Sequence, residues 1–136
     1  MGEVCHFVDT AQALIGSPIE QVAGVPGSGE PGDDVAVSMR FADGSLATIA
    51  YGSVPPVAGK ELIEVTAGSR RVVIDDFRRA EADGKAIWKG RQDKGHRACV
   101  KAFRQAVTGG EAMPTRTLLG SMAATIRAAT GTRCYA

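Results

Sequence analysis

The sequence predicts an α+β fold in which helices cover one face of a largely antiparallel, open-faced sheet. Three observations lead to this class. Apolar residues recur with helical spacing at the start of the chain, alternate with polar residues through its middle, and return to helical spacing near its end. Short turns between the central strands favour antiparallel pairing, and the flanking helices can then pack on one side.

The first predicted helix covers residues 2–16, and Gly16 followed by Pro18 ends it. The helical pattern begins almost at residue 1 without a preceding capping segment, so we expect the chain to be part of a longer protein. The apolar stripe of this helix comprises Val4, Phe7, Val8, Ala11, Leu14 and Ile15.

The middle of the chain alternates with a period of two, which indicates strands. Asp43-Gly44 and Asp83-Gly84 predict type I′ hairpin turns, because both central residues of that turn take a positive φ. Arg78–Ala82 is a weaker strand candidate. The other predicted strands are Ile19–Val25, Val35–Phe41, Leu46–Tyr51, Leu62–Thr66, Arg71–Asp75 and Ala86–Lys89.

Two further helices are predicted near the end of the chain. The first covers residues 93–108 and ends at Gly109-Gly110. Thr115 can cap the second. Their apolar stripes are Val100, Phe103 and Val107 in the first helix, and Leu118, Leu119, Met122, Ile126 and Ala129 in the second.

Composition excludes several classes of protein. The 136 residues are enough for a single domain, and 44% hydrophobic with 23% charged residues is ordinary for a globular protein. The net charge of +1 provides no field that would attract nucleic acid or anionic lipid. The sequence contains neither a signal peptide nor a membrane-spanning apolar run, and its three cysteines form no CxxC motif. We expect a cytoplasmic domain.

Gly27–Gly32 matches the G-x-G-x-x-G pattern of dinucleotide-binding sites. Pro31 lies inside the motif, and Asp33 and Asp34 lead into a predicted strand, whereas a pyrophosphate site needs a helix there. We therefore interpret the segment as a hairpin loop and expect no cofactor site in this chain.

His6 is the strongest candidate for chemistry. It lies roughly opposite the apolar stripe of the first helix, and Glu3 and Asp9 flank it at three-residue spacing. An imidazole between carboxylates suits proton transfer near neutral pH. The alternative is that these three side chains form an ordinary solvated helix face.

Other polar or aromatic residues have simpler interpretations. Lys60 follows a loop containing Pro55-Pro56 and could bind a substrate oxygen, or it could be a solvated strand-end charge. His96 is expected to cap its helix or be partly buried. Trp88, the only tryptophan, is expected in the core.

Several segments, in order, resemble the C-terminal domain of the glucose–fructose oxidoreductase/inositol dehydrogenase (Gfo/Idh/MocA) family. The resemblance spans nearly the whole chain. Its segments are residues 2–9 (Gly-Glu-Val-Cys-His-Phe-Val-Asp), 14–19, 41–46 (Phe-Ala-Asp-Gly-Ser-Leu), 60–65 (Lys-Glu-Leu-Ile-Glu-Val) and 93–96, followed by an amphipathic helix and Pro114-Thr115.

The resemblance implies that residues 1–136 form one C-terminal substrate and oligomerisation domain. In the complete enzyme an N-terminal Rossmann domain, absent here, would hold NAD or NADP. Hydride transfer would act on a sugar, polyol or related hydroxyl or carbonyl compound. His6 matches the family histidine at the substrate, with Glu3, Asp9 and Lys60 as substrate contacts. The open sheet face would pair two copies into a homodimer.

One departure from the family pattern concerns the acid near this histidine. Many relatives place an aspartate four residues before it, where this chain has Gly2. Glu3 could serve instead, as in a subgroup whose helix starts Gly-Glu-x-Cys-His. The alternative to an enzyme part is a non-catalytic module that dimerises or binds a small ligand with the same fold.

Overall fold

The computed structural model describes residues 3–27, 34–52, 60–109, 115–130 and the backbone of 134–135. The order of elements confirms the α+β class. In chain order they are α1 (Val4–Ile15), β1 (Ile19–Pro26), β2 (Val35–Phe41), β3 (Leu46–Tyr51), β4 (Leu62–Ala67), β5 (Arg70–Asp75), β6 (Arg79–Ala82), β7 (Lys85–Lys89), α2 (His96–Val107), α3 (Thr115–Thr130) and β8 (Cys134–Tyr135).

The chain divides into two compact units, Met1–Ser53 with Met113–Ala136, and Val54–Ala112. Each unit contains one four-stranded antiparallel sheet. The first sheet has the order β3-β2-β1-β8 and the second the order β4-β5-β6-β7. The strands thus form two sheets, because β4 to β7 follow one another through short turns and pair among themselves.

In the first unit, α1 and α3 pack on one face of the first sheet. Strand β2 shows the predicted alternation, with its odd-numbered residues buried and its even-numbered ones exposed. The opposite face, which we call the open face, exposes Ala36, Ser38, Arg40, Leu46, Thr48 and Ala50. The core consists of Val4, Val8, Val22, Val35, Val37, Met39, Phe41, Ala124 and Ala128.

Helix α3 faces the sheet with its small residues rather than with the predicted apolar stripe. Its buried positions are Ser121, Ala124, Thr125 and Ala128, whereas Leu118, Leu119, Met122 and Ile126 are exposed. The physical reason is a close approach at Gly24 in β1. A Cβ atom added there would lie 2.0 Å from the carbonyl oxygen of Ala128. Large side chains would not fit into that contact.

Helix α2 is present as predicted, but none of its residues is buried. Its apolar stripe is 68–71% exposed at Val100, Phe103 and Val107. His96 opens this helix and is exposed, and no side chain caps the helix at Gly95. Trp88 is 43% exposed, so its predicted place in the core is wrong.

The turns partly follow the predictions. Asp83 (φ 51°) and Gly84 (φ 78°) both take a positive φ, as a type I′ turn requires. At Asp43-Gly44 only Gly44 does, and the Asp43 carboxylate instead accepts hydrogen bonds from the backbone N–H and hydroxyl of Ser45. An unpredicted turn joins β5 to β6 through Asp76 (φ 47°) and Phe77 (φ 49°).

Candidate functional site

The candidate site lies on the first unit, where the start of α1 meets the end of β3. We call Glu3, His6, Phe7 and Tyr51 the α1 corner. Helix α1 follows from its apolar stripe, which buries Val4 and Val8, and it ends at Gly16, whose left-handed backbone donates an N–H to the carbonyl oxygen of Gln12. His6 is exposed, as expected for a residue opposite that stripe.

The α1 corner is held together by contacts between α1 and β3. The Tyr51 hydroxyl donates a hydrogen bond to Glu3 Oε2 at 3.2 Å. The rings of Phe7 and Tyr51 lie 6.1 Å apart between centroids, with 47° between their planes. Both aromatic side chains are half-buried. The strand therefore brings a phenol and a carboxylate to the side of the helix next to the exposed imidazole.

The two carboxylates that flank His6 in sequence have different surroundings. Glu3 is bound by Tyr51, whereas Asp9 is exposed and makes no hydrogen bond or ion pair within the described ranges. Neither carboxylate forms an ion pair with His6 there. At the backbone, Thr10 donates its hydroxyl to the His6 carbonyl oxygen at 2.7 Å. The imidazole is thus presented to solvent on a well-ordered helical turn.

The Asp34 carboxylate lies beside the residue that follows β3. A Cβ atom added to Gly52 would lie 2.9 Å from Asp34 Oδ1, which places this carboxylate against the residue that follows Tyr51. Tyr51 was not predicted as a neighbour of α1. Its only sequence signal is that it ends a predicted strand, and this does not reveal which helix the strand contacts.

Lys60 belongs to the other unit. Its backbone N–H donates to Asp76 Oδ1 at 3.3 Å, and the same oxygen accepts a hydrogen bond from the Gln92 amide at 3.0 Å. Beside it, Lys94 Nζ lies 2.5 Å from Glu61 Oε1. These bonds join the start of β4 to the turn after β5 and to the segment before α2. The exposed Lys60 ammonium remains a predicted substrate contact.

The second sheet carries a cavity of about 120 Å³ lined by Leu62, Val73, Asp75, Arg79 and Glu81. Arg79 is paired with Glu81 within it. Charged groups elsewhere on this sheet are similarly engaged. The Arg71 side chain, by hydrogen bonding, lowers the pKa of Glu64, and the Arg71 backbone N–H lowers the pKa of Asp83. These hydrogen bonds stabilise the hairpins of the second sheet.

Strands, not a helix, flank the glycine-rich segment 27–32. Strand β1 ends at Pro26, and the next element after the glycine-rich segment is the antiparallel strand β2. Gly27 donates its N–H to the Asp34 carbonyl oxygen at 2.8 Å. Residues 28–33 lie outside the described ranges. A pyrophosphate site needs a helix N-terminus after the glycine turn, and here a strand follows.

No group of three or more histidine, cysteine, aspartate or glutamate side chains in the described ranges could hold a metal ion. None of the helices in the described part of the chain is long and apolar enough to cross a membrane.

No family model and no curated protein sequence matches the chain. Solved structures that share its fold include two dehydrogenases. UDP-N-acetylglucosamine 3-dehydrogenase GnnA from Acidithiobacillus ferrooxidans aligns with a TM-score of 0.78 and 15% identity over 94% of this chain. The WlbA dehydrogenase from Bordetella pertussis, in complex with NADH and UDP-GlcNAcA, aligns with a TM-score of 0.60 and 18% identity over 100% of this chain.

The chain spans 44% of the length of each of these two proteins. Both of these proteins are dehydrogenases. At these identities the likeness shows the fold. It confirms the fold that the resemblance implied, a helix-covered antiparallel sheet, which aligns with part of each of these two longer dehydrogenase chains.

Proposed function

We propose that this chain is the substrate-side domain of an NAD(P)-dependent oxidoreductase that acts on a sugar, polyol or related hydroxyl or carbonyl compound. The observation that carries the proposal is the exposed His6 imidazole at the α1 corner, on a fold shared with part of two dehydrogenases. The shared fold alone would not assign an activity. The imidazole adds a proton-transferring group at a place open to a substrate.

Oxidation of an alcohol removes a hydride from the carbon and a proton from the oxygen. The nicotinamide would accept the hydride, and a separate N-terminal dinucleotide-binding domain would hold it; the match of this chain to 44% of each of the two dehydrogenases supports this division. The role of this chain in the reaction is to accept or supply the proton. His6 would accept the proton of the substrate hydroxyl during oxidation and return it during carbonyl reduction.

The α1 corner also offers groups that suit a polyhydroxylated substrate. The Glu3 carboxylate can accept hydrogen bonds from hydroxyl groups, and the Phe7 and Tyr51 rings provide an apolar wall beside it. Lys60 and Asp9 stay proposed substrate contacts, without a described bond to the α1 corner.

In the complete enzyme, we expect His6→Asn to lower kcat by about 10²–10⁴-fold, because a positioned acid–base group contributes about that much to the rate. The assay would measure the formation of NADH or NADPH, with UDP-N-acetylglucosamine and a panel of sugars and polyols as substrates. His96→Asn is the matched control, since His96 is also exposed and on a helix. Equal activity of His6→Asn and the native enzyme would contradict the role of His6.

The same proposal predicts that the 136-residue chain alone does not bind a nicotinamide cofactor. A fluorescence titration with NADH measures this directly. Micromolar affinity would show that the cofactor site lies in this chain and would overturn the division of labour between the two domains.

A second candidate function, a dimerising module, is favoured by the open face of the first sheet. Its exposed side chains are mostly small and uncharged, and Arg40, its one charge, is paired with Glu20 at 2.7 Å. Such a flat face suits sheet-to-sheet packing of two copies. We expect light scattering to show a dimer and Ser38→Glu to dissociate it. A monomer at high micromolar concentration would contradict this interface.

A further inference from the structure

The most informative contact outside the sequence predictions is the hydrogen bond from Tyr51 to Glu3. It joins residues 48 positions apart and ties the N-terminal turn of α1 to the last residue of β3. Glu3 is the residue that precedes the first turn of α1, and its carbonyl oxygen accepts the His6 backbone N–H at 3.1 Å. Glu3 and His6 are therefore on the same turn.

Helical geometry places Glu3 between the aromatic pair and the imidazole. With about 100° per residue, Glu3 lies roughly 40° from Phe7 and roughly 60° from His6, whereas Asp9 lies on the other side of His6, away from Phe7. Viewed around the helix, the order is Phe7, Glu3, His6 and Asp9. The β3 strand contacts the Phe7 side of this series through Tyr51.

This order makes the two flanking carboxylates unequal. A carboxylate on a flexible glutamate side chain samples several rotamers, and a bond from a half-buried tyrosine restricts it to one of them. The ring of Tyr51 is itself held by Phe7. Asp9 has no such support within the residues that the structure describes.

We propose that Tyr51 is a positioning residue, which holds the Glu3 carboxylate beside His6 as the group that accepts a hydroxyl of the substrate next to the reacting one. The inference rests on the proposed function, because it assigns Glu3 a role in recognising the substrate whose proton His6 transfers. Neighbouring hydroxyls on a sugar or polyol ring match a paired imidazole and carboxylate on one helical turn.

The test is steady-state kinetics of the complete enzyme with UDP-N-acetylglucosamine as the probe. Tyr51→Phe keeps the ring against Phe7 and removes only the hydroxyl. We expect it to raise KM about tenfold and leave kcat within about twofold, because recognition is lost and the proton transfer by His6 is kept. A purely structural role would lower the active fraction, and therefore the apparent kcat, without changing KM.

Four further variants test the result. Glu3→Gln should raise KM as Tyr51→Phe does, and the double variant should be no worse than either single one, because the two residues act as a unit. Glu64→Gln, which removes an exposed carboxylate of the other unit, is the matched control and should leave both constants unchanged. Asp9→Asn should raise KM less than Glu3→Gln.

The outcomes are distinguishable. An active native enzyme with unchanged KM in Tyr51→Phe, additive effects in the double variant, or an equal effect of Asp9→Asn would overturn the positioning role and leave the proposed function intact. A native enzyme that oxidises no sugar or polyol in the panel would overturn the proposed function and the recognition role together. NMR of the isolated chain then still reports whether Glu3 loses its single rotamer in Tyr51→Phe.

Discussion

Replacing Phe41 with alanine is expected to destabilise the first unit by about 3–5 kcal/mol, because the substitution removes a large aromatic ring from a closed core. Phe41 is 0% exposed and is the largest fully buried side chain of the described residues. It ends β2 and packs in the same cluster as Val4 and Val8 of α1. Chemical denaturation followed by circular dichroism measures the loss as a change in the free energy of unfolding.

Phe103 provides a matched control for this experiment. It is the same residue type, but it is 71% exposed on α2. Phe103→Ala should therefore change the free energy of unfolding by no more than about 0.5 kcal/mol. A loss for Phe41→Ala as small as the loss for Phe103→Ala would show that the first unit does not have its core where the structure places it.

The second large effect is expected at Gly24. A methyl group at this position would overlap the backbone of Ala128, whose carbonyl oxygen, carbonyl carbon and Cα would lie 2.0, 2.6 and 2.8 Å from the added Cβ. A backbone cannot move aside by changing a rotamer, so α3 as a whole would have to shift. We expect Gly24→Ala to cost about 3 kcal/mol, at the upper end of overpacking substitutions.

Gly44→Ala separates crowding from backbone strain. Gly44 has a φ of 86°, and a Cβ there would meet no atom within 4 Å, so its replacement costs only the left-handed backbone, about 1–2 kcal/mol. Amide NMR shifts in α3 should move in Gly24→Ala and stay in place in Gly44→Ala. An α3 spectrum unchanged by Gly24→Ala would refute the close approach.

Local patterns were sufficient to predict most elements of the fold. The bounds of β2 and β3 agree with the predicted strands because strict alternation and a glycine turn define both ends locally. The turn at Asp76-Phe77 was not predicted, since neither residue favours a positive φ enough to be recognised in a sequence. Strand β8 pairs with β1 over only two residues, too short for a periodic signal.

Packing partners were much less predictable than elements. The apolar stripe of α3 has the right spacing, but the helix contacts the sheet through Ser121, Ala124 and Ala128, because Gly24 permits an approach that only small residues can make. Periodicity cannot reveal such a long-range choice. The same holds for the α1 corner, where His6 and Glu3 were predicted from spacing and Tyr51 comes from a strand distant in sequence.

Strand β3 stands at one end of the order β3-β2-β1-β8, so one of its edges has no strand partner among the described residues. Its six residues, Leu-Ala-Thr-Ile-Ala-Tyr, contain no charge and no proline. Natural edge strands usually carry charged residues or proline, which prevent further strands from adding. Uncharged segments of high β-propensity can instead pair with other copies and form fibrils. In concentrated samples this segment is where aggregation should start, and a lysine in place of Thr48 is the change that should suppress it.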